Sequence, residues 1–354
     1  MDSQKNSQAA KCPYSNSLEA IKKEGATMKA IFIEKFGGPP LVKEVPIPKP
    51  GPNEVLIRVE AAPINPLDLA FMRGASKRKR TLPCQLGYEG AGVVLASGGG
   101  QLSDYLLGRR VCFFSPPGQP STWAQYIVTK AQGCFPLGDS ISYEIGSSGI
   151  INPVTVLAFV DIVKQGNHKA VIQTAAASQV GKMLIKLLNK EGVKTINIVR
   201  KNDQKQMLQE IGADVVLNSE DENFERDLKE KAEALGATVC FECISGDVTS
   251  KVIKAMPRDS VCYIYGHLAT NALTGVDFAD LLVRNKVIRG FTFVRWLNEQ
   301  GSNTIDVMQK IQDLLQGDLK SEIAKVVSLD QVKDAIKFYT QNMTAGKIII
   351  KPNL

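Results

Sequence analysis

Histidine is nearly missing from this chain: two residues in 354, His168 and His267. Cysteine is sparse as well, with seven residues at positions 12, 84, 112, 134, 240, 243 and 262. Only Cys240 and Cys243 stand close together, in TVCFECIS, so the four closely spaced thiols of a structural zinc lobe are not there. An odd, scattered set also argues against a disulfide framework and for a reducing compartment. No apolar run reaches the roughly 18 residues of a membrane span. The first 27 residues lack the apolar centre of a secretory signal. They carry lysines 5, 11, 22 and 23 beside Asp2, Glu19 and Glu24, without arginine, which disfavours a mitochondrial presequence. They read as a polar arm, and the closing KPNL matches no address signal.

What is present is an ordinary globular composition, 44% hydrophobic and 22% charged, and a net charge of +7. The length suggests two domains, because single cores stop growing near roughly 250–300 residues. The positive balance suits phosphorylated or acidic ligands. Its basic residues are dispersed, so no nucleic-acid partner is expected. From Met28 to about Ile150 the chain is β-rich: MKAIFIEKF, EVLIRVEAAPI, GAGVVLASG and WAQYIVTK are bounded by Gly, Pro and Asn. The clusters VPIPKPGP and FSPPGQP rule out helices where they stand. This part reads as a compact barrel-like domain. From about Pro153 strand-like and helix-like segments alternate through AVIQTA, VGKMLIKLLNKEG, TINIVR, KQMLQEIG, DVVLN, ENFERDLKEKAEALG, TVCFECI, VTSKVIKAM and SVCYIYG. Such alternation means βαβ units and a parallel sheet, so the fold class is α/β.

The turn in AVIQTAAASQVGK is where a dinucleotide would sit. The spacing G-x-G-x-x-G falls on Ala176, Ser178 and Gly181, so only the third glycine survives. Alanine and serine are the smallest substitutes, and a serine hydroxyl can donate to a phosphate. Gln179 is bulkier and narrows the space. By spacing alone, a pyrophosphate site and a plain strand-to-helix turn both remain open. The next strand adds a second signal. NAD sites usually place an acid about 20 residues on, to hold the ribose 2′-hydroxyl. Nineteen residues beyond Gly181 stands Arg200, followed by Lys201, with no carboxylate before Asp203. Two cations there suit a 2′-phosphate, hence NADPH; the alternative is a solvated basic strand end.

Taken together, MKAIFIEKFGGP, APINPLDLAFMRG, LPCQLGYEGAGVV, GRRVCFF, NPVTVLAF, VIQTAAASQVGK, TINIVRK, YIYGH, IRGFTFVRW and GKIIIKP resemble the medium-chain dehydrogenase/reductase superfamily, in its zinc-independent quinone oxidoreductase and trans-2-enoyl-thioester reductase branch. The resemblance runs from Met28 to Pro352. It implies a GroES-like β-barrel catalytic domain (28–151 and 296–354) around a Rossmann doubly wound parallel sheet (152–295), after the arm of 1–27. It places Asn152 and Thr155 at the nicotinamide end, and Ala177, Ser178, Gln179 and Val180, with Gly181, at the pyrophosphate. Arg200 and Lys201 take the 2′-phosphate. Tyr265, Gly266, His267 and Leu268 form the wall beside the carboxamide, Phe291, Thr292 and Phe293 the adjacent edge, and Lys347 closes the site. Asn65 falls near the reacting atoms. Alcohol dehydrogenases of this superfamily set a cysteine and a histidine where this chain has APINPLDL, so no metal is expected.

Reduction of an activated C=C needs a proton donor as well as a hydride. Enoyl reductases of the branch carry a tyrosine shortly after the stretch matching FMRG; here GASKRKRTLP follows, with Ser76 nearest that place. Tyr88 of LGYEG is the nearest tyrosine, either a donor pointing into the cleft or a half-buried loop residue. A quinone needs less, since water can protonate the hydroquinone anion. Lys77, Arg78, Lys79 and Arg80 form the sharpest charge run: a solvated loop, a dock for coenzyme A phosphates or an acidic acyl carrier, or a nuclear import signal. Cys240 and Cys243 could be redox-active or buried core. Arg295 and Trp296 could be core or pocket wall. The reading is an NADPH-dependent, zinc-independent reductase of a quinone or an activated alkene, with Tyr88, Asn65 and Thr155 as catalytic candidates. It is expected in the cytoplasm, with the mitochondrial matrix as the alternative, as a homodimer, without a membrane partner. A trans-2-enoyl-CoA or acyl-carrier-protein reductase, and a non-catalytic paralogue of the same fold, are the rival readings.

Overall fold

The computed structural model describes Tyr14, Glu19, Ile21 and residues 23–75, 81–115, 121–269 and 272–354. Short β-branched segments build the first part. Strands β1 (Thr27–Ile33), β2 (Leu41–Pro46) and β3 (Glu54–Pro63) precede helix α1 (Pro66–Met72). Then come β4 (Cys84–Gln85), β5 (Glu89–Ser97), α2 (Gln101–Leu106), β6 (Arg110–Phe114), β7 (Tyr126–Lys130), β8 (Cys134–Pro136) and the single turn α3 (Tyr143–Gly146). Strands β2, β1 and β4 pair antiparallel in one sheet. Strands β3, β5, β6 and β8 pair antiparallel in a second, with β7 also on β3. Their inward residues, among them Ile57, Val59, Val94, Val111, Phe113 and Trp123, share one buried core. Helix α1 lies inside this β-rich part. It begins on Pro66, where the missing N–H would be unpaired in any case.

Helix α4 (Ile151–Gln165) is buried along most of its length and packs into the core beneath the parallel sheet. Alternation then takes over: β9 (Ala170–Gln173), α5 (Gln179–Lys190), β10 (Lys194–Val199), α6 (Asp203–Glu210), β11 (Val215–Asn218), α7 (Phe224–Leu235), β12 (Val239–Glu242), α8 (Asp247–Ala255), β13 (Val261–Ile264), α9 (Phe278–Leu282) and β14 (Val287–Gly290). All six strands run parallel in the order β11-β10-β9-β12-β13-β14. The order reverses beside β9, and ligands of such sheets bind beyond the carboxyl ends of the strands at that reversal. Phe159 of α4 stacks on Phe241 of β12, with ring centroids 3.8 Å apart, and so fixes the helix against the strand beside the crevice.

The rest is α10 (Phe293–Gln300), α11 (Thr304–Leu314), β15 (Ile323–Val327), α12 (Val332–Gln341) and β16 (Lys347–Ile350). Strand β16 pairs antiparallel with β3, with Ile349 opposite Pro63, and β15 pairs parallel with β16. The chain therefore rejoins the barrel sheet at Ile323. Residues of α10 and α11, notably Leu297, Met308 and Ile311, pack with α4, and Gln312 of α11 accepts from the Gly138 N–H of the barrel part at 2.8 Å.

Candidate functional site

The turn after β9 is tight because Gly181 lets it be. A Cβ on Gly181 would stand 2.2 Å from the Ala176 carbonyl oxygen, a distance no side chain survives. Helix α5 can thus close directly onto the turn, the role of the third glycine. Ala175 takes up the bend at φ +49°. Ser178 is the N-cap of α5, its Oγ accepting from the Gly181 N–H at 3.2 Å. Its hydroxyl hydrogen stays available to a ligand. The twelve-residue α5 aims its positive end at the same place. The Ala176 N–H donates to the Ile198 carbonyl at 3.1 Å, so the turn is tied to the end of β10, two residues before Arg200. Arg200 and Lys201 are exposed there, and neither makes an ion pair among the described residues.

Gln179 departs from its expected place on the pyrophosphate. Its side chain is buried and turned to the barrel side, with Oε1 accepting from the Glu322 N–H at 2.9 Å and Nε2 donating to Glu322 Oε2 at 3.4 Å. Lys182, one turn on, also bonds that carboxylate. Of Gln179 itself, only the backbone N–H is left for a phosphate.

The opposite wall forms where β12 and β13 end. Tyr265 N–H donates to the Glu242 carbonyl and Leu268 N–H to the Cys243 carbonyl, each at 2.9 Å, so the 265–268 segment is strapped along 242–243. Glu242 is wholly buried. Its carboxylate accepts from the N–H groups of Ile244 at 2.7 Å and Ser245 at 3.1 Å and from Thr174 Oγ1 at 3.3 Å. Burial pushes its pKa up, and these donors pull the other way. Glu242 thereby links the dinucleotide turn to the 265–268 wall, a connection that no motif marks. Of that wall, Tyr265, Gly266 and Leu268 are half-buried and His267 is exposed.

Asn65, Asn152, Thr155 and Lys347 come from three separate parts of the chain, and the structure gathers Asn65 and Lys347 at one buried point. The Lys347 ammonium donates to Asn65 Oδ1, and Asn65 Nδ2 donates to Glu89 Oε1 at 2.9 Å. Asp68 Oδ2 accepts the Asn65 backbone N–H at 2.7 Å. Glu89 Oε2 reaches the start of α4, accepting from the N–H of Ile151 at 2.9 Å and of Ile150 at 3.4 Å. Burial lowers the Lys347 pKa while the Glu89 and Asp68 charges raise it; burial raises that of Glu89 while Lys347 and the N–H donors lower it. Lys347, expected to close the site, is buried and spends its ammonium on Asn65. In the first turn of α4, Asn152 makes no hydrogen bond among the described residues, which leaves its amide to a ligand. Thr155 spends its hydroxyl proton on the Ile151 carbonyl at 2.7 Å, so only its oxygen is left to accept. Glu89, Asp68, Glu242 and Glu322 were not among the sequence candidates.

Tyr88 is buried. It packs in the barrel core, 4% exposed, edge-on to Phe71 with centroids 6.4 Å apart, while its neighbour Glu89 faces α4. Ser76 and Lys77 to Arg80 lie outside the described residues. Cys240 and Cys243 are buried, and burial pushes the Cys243 thiol up to about 12, far from a redox-active thiolate. Trp296 packs beside α4 and donates to Asp161 Oδ2 at 3.3 Å. Arg295 points its guanidinium to the Gly290 carbonyl at 2.8 Å. Phe291 is buried, and Phe293 meets Phe114 edge-on at 5.7 Å. A cavity of about 580 Å³ opens nearby, between Phe114 and Phe135 on one side and Val294 and Leu297 on the other. Among the described residues no three of His, Cys, Asp and Glu cluster to hold a metal.

The alcohol dehydrogenase GroES-like domain matches residues 51–139, and the zinc-binding dehydrogenase domain matches residues 180–312. A crystal structure from Mesorhizobium loti, assigned as an NADPH:quinone reductase, superposes with a TM-score of 0.86 at 32% identity, over 92% of this chain and 98% of that one. The mitochondrial enoyl-[acyl-carrier-protein] reductase of Arabidopsis thaliana is 28% identical over 285 residues, 76% of this chain and 73% of the relative. Prostaglandin reductase-3 of Mus musculus is 24% identical over 328 residues, 88% and 84% of the two chains. With the barrel, the doubly wound sheet and the turn between them already in place, these likenesses settle the family: the chain belongs to the medium-chain dehydrogenase/reductase superfamily of oxidoreductases, in its zinc-independent quinone oxidoreductase and enoyl reductase branch.

Proposed function

We propose that this protein is an NADPH-dependent reductase of an electron-poor double bond, in a quinone or an α,β-unsaturated carbonyl compound. The observation that carries this is the joining of the 175–181 turn, tight at Gly181 and capped by Ser178, to the end of β10, where Arg200 and Lys201 stand exposed. When bound, NADPH supplies the hydride. The chain supplies the rest. The N–H groups at the head of α5 and the Ser178 hydroxyl receive the pyrophosphate. Arg200 and Lys201 grip the 2′-phosphate. Asn152 and the 265–268 segment hold the nicotinamide end, and Phe114 and Phe293 keep water from the reacting carbon. Asn65 offers a hydrogen bond to the oxygen that gains charge. With Tyr88 in the barrel core, the last proton comes from solvent, which a quinone tolerates better than an enoyl thioester.

The enoyl-thioester reading rests on the curated relatives named for that reaction. Under it an acyl carrier is the partner and the mitochondrial matrix the setting; under the quinone reading, the cytoplasm. No helix of the described residues is long and apolar enough to cross a membrane. A homodimer is supported by the apolar rim of the parallel sheet. Strand β14 is an edge strand, and Phe278, Leu282 and Val283 beside it are 73%, 77% and 58% exposed. The test is loss of nicotinamide absorbance with a quinone and, separately, with a crotonyl thioester. Turnover with the quinone alone supports the main reading, and turnover with the thioester alone moves it to the second. No turnover, with no thermal shift by NADPH, would leave a non-catalytic paralogue.

A further inference from the structure

Asn65 is held more firmly than an ordinary side-chain amide. Its Oδ1 faces an ammonium, Lys347, and its Nδ2 faces a carboxylate, Glu89, at 2.9 Å. Neither partner accepts the amide turned over, so the charges on both sides fix which atom is oxygen and which is nitrogen. Asn65 is 2% exposed, Lys347 3% and Glu89 0%. At that depth both contacts are charge-assisted and little screened. An amide nitrogen has two hydrogens, and Glu89 takes one. The other makes no bond among the described residues.

Glu89 has a second contact. Its other oxygen accepts from the Ile150 and Ile151 N–H groups, at the start of the helix that carries Asn152 and Thr155 in its first turn. One carboxylate therefore joins the residue expected at the reacting oxygen to the helix expected at the nicotinamide. A helix start favours such a charge, since its first N–H groups lack partners and its dipole is positive.

We propose that Glu89 is a positioning residue for the reduction: it holds the Asn65 amide in one orientation, with an N–H to spare for the substrate oxygen, and sets that N–H in register with the first turn of α4. The inference rests on the reductase reading above. Glu89 touches neither substrate nor cofactor and acts through Asn65. Misplacing a group that meets the developing charge costs on the order of a hundredfold in rate, while binding of the remote parts of the cofactor is untouched.

The test is a double-mutant cycle on the full chain with E89Q, N65A and E89Q/N65A. It reads kcat with a quinone, Kd for NADPH, melting temperature, and the primary isotope effect with NADPH deuterated at C4. If Glu89 acts through Asn65, E89Q lowers kcat about tenfold to a hundredfold with Kd changed by less than about threefold, and the isotope effect rises because hydride transfer has slowed. In the N65A background the same change costs less than about twofold. Losses that multiply across the cycle would overturn the proposal, as would an E89Q enzyme with wild-type kcat. Should E89Q give no folded protein by circular dichroism, the residue is structural and the proposal falls. A wild-type enzyme that reduces neither quinone nor thioester would instead remove the reductase reading on which the proposal stands.

Discussion

Gln179 and Glu322 are bonded twice. The Gln179 amide oxygen accepts the Glu322 backbone N–H at 2.9 Å, and its nitrogen donates to the Glu322 carboxylate at 3.4 Å. The two residues lie 143 positions apart, one at the head of the first sheet helix and the other just before β15. The Glu322 carbonyl in turn accepts the Lys347 backbone N–H at 2.7 Å. A single residue thus connects the dinucleotide turn to the strand that carries Lys347.

Replacing Gln179 by alanine should therefore lower stability and spare the cofactor. Two hydrogen bonds vanish and the Glu322 N–H is left without its partner, at a cost of about 1–3 kcal/mol, readable as a lower melting temperature. The NADPH Kd should change by less than about threefold, because the lost side chain faces Glu322 and not the phosphate. A weakening beyond tenfold with an unchanged melting temperature would put Gln179 back on the pyrophosphate.

Motif position puts Gln179 at the phosphate; its side chain turns instead to Glu322, and that contrast shows what a sequence can carry. Local features were legible. The alternation of β-branched runs with 3.6-period runs gave the parallel sheet, and the spacing to Gly181 gave the tight turn. The cations ending TINIVR were visible because a strand end has a fixed place in this fold. Long-range pairings were not legible. Asn65 and Lys347 are 282 positions apart, and Asn65 and Glu89 are 24 apart, so nothing local marks Glu89 as more than an acid in a strand. The burial of Tyr88 was equally hidden. Glu89 faces α4 while Tyr88, in the bend just before β5, packs in the barrel core, and no local pattern marks that difference. The helix α1 was missed because it is only seven residues long and sits among strands.

The sheet edge gives a prediction about assembly. Leu282, 77% exposed beside edge strand β14, should be covered in a dimer. Leu282→Asp places a charge in that contact, and sedimentation at micromolar concentration should show the particle falling from dimer to monomer with the fold intact. A wild-type chain that sediments as a monomer would refute the interface, as would a variant that stays dimeric.

His168 gives a prediction about pH. Its Nδ1 lies 2.7 Å from Thr238 Oγ1, and burial lowers its pKa from the ordinary 6.5. The folded chain then binds this proton less readily than the unfolded chain. Its contribution is complete above the ordinary value and is lost as pH falls below it, toward the lowered folded value. His168→Gln should flatten the decline of melting temperature between about pH 7 and pH 5.5. Parallel curves for the two proteins would show that this imidazole is not linked to folding.

The central claim is that Arg200 and Lys201 select the phosphorylated dinucleotide, and it is tested most directly by measuring Kd for NADPH and NADH on the wild type and on Arg200→Asp. A charge-assisted, bidentate phosphate contact is worth about 1.5–3 kcal/mol, so the wild type should favour NADPH by roughly tenfold to a hundredfold or more. The substitution should erase that preference while leaving NADH nearly unchanged. Equal affinities in the wild type, or equal losses for both cofactors in the variant, would contradict the account.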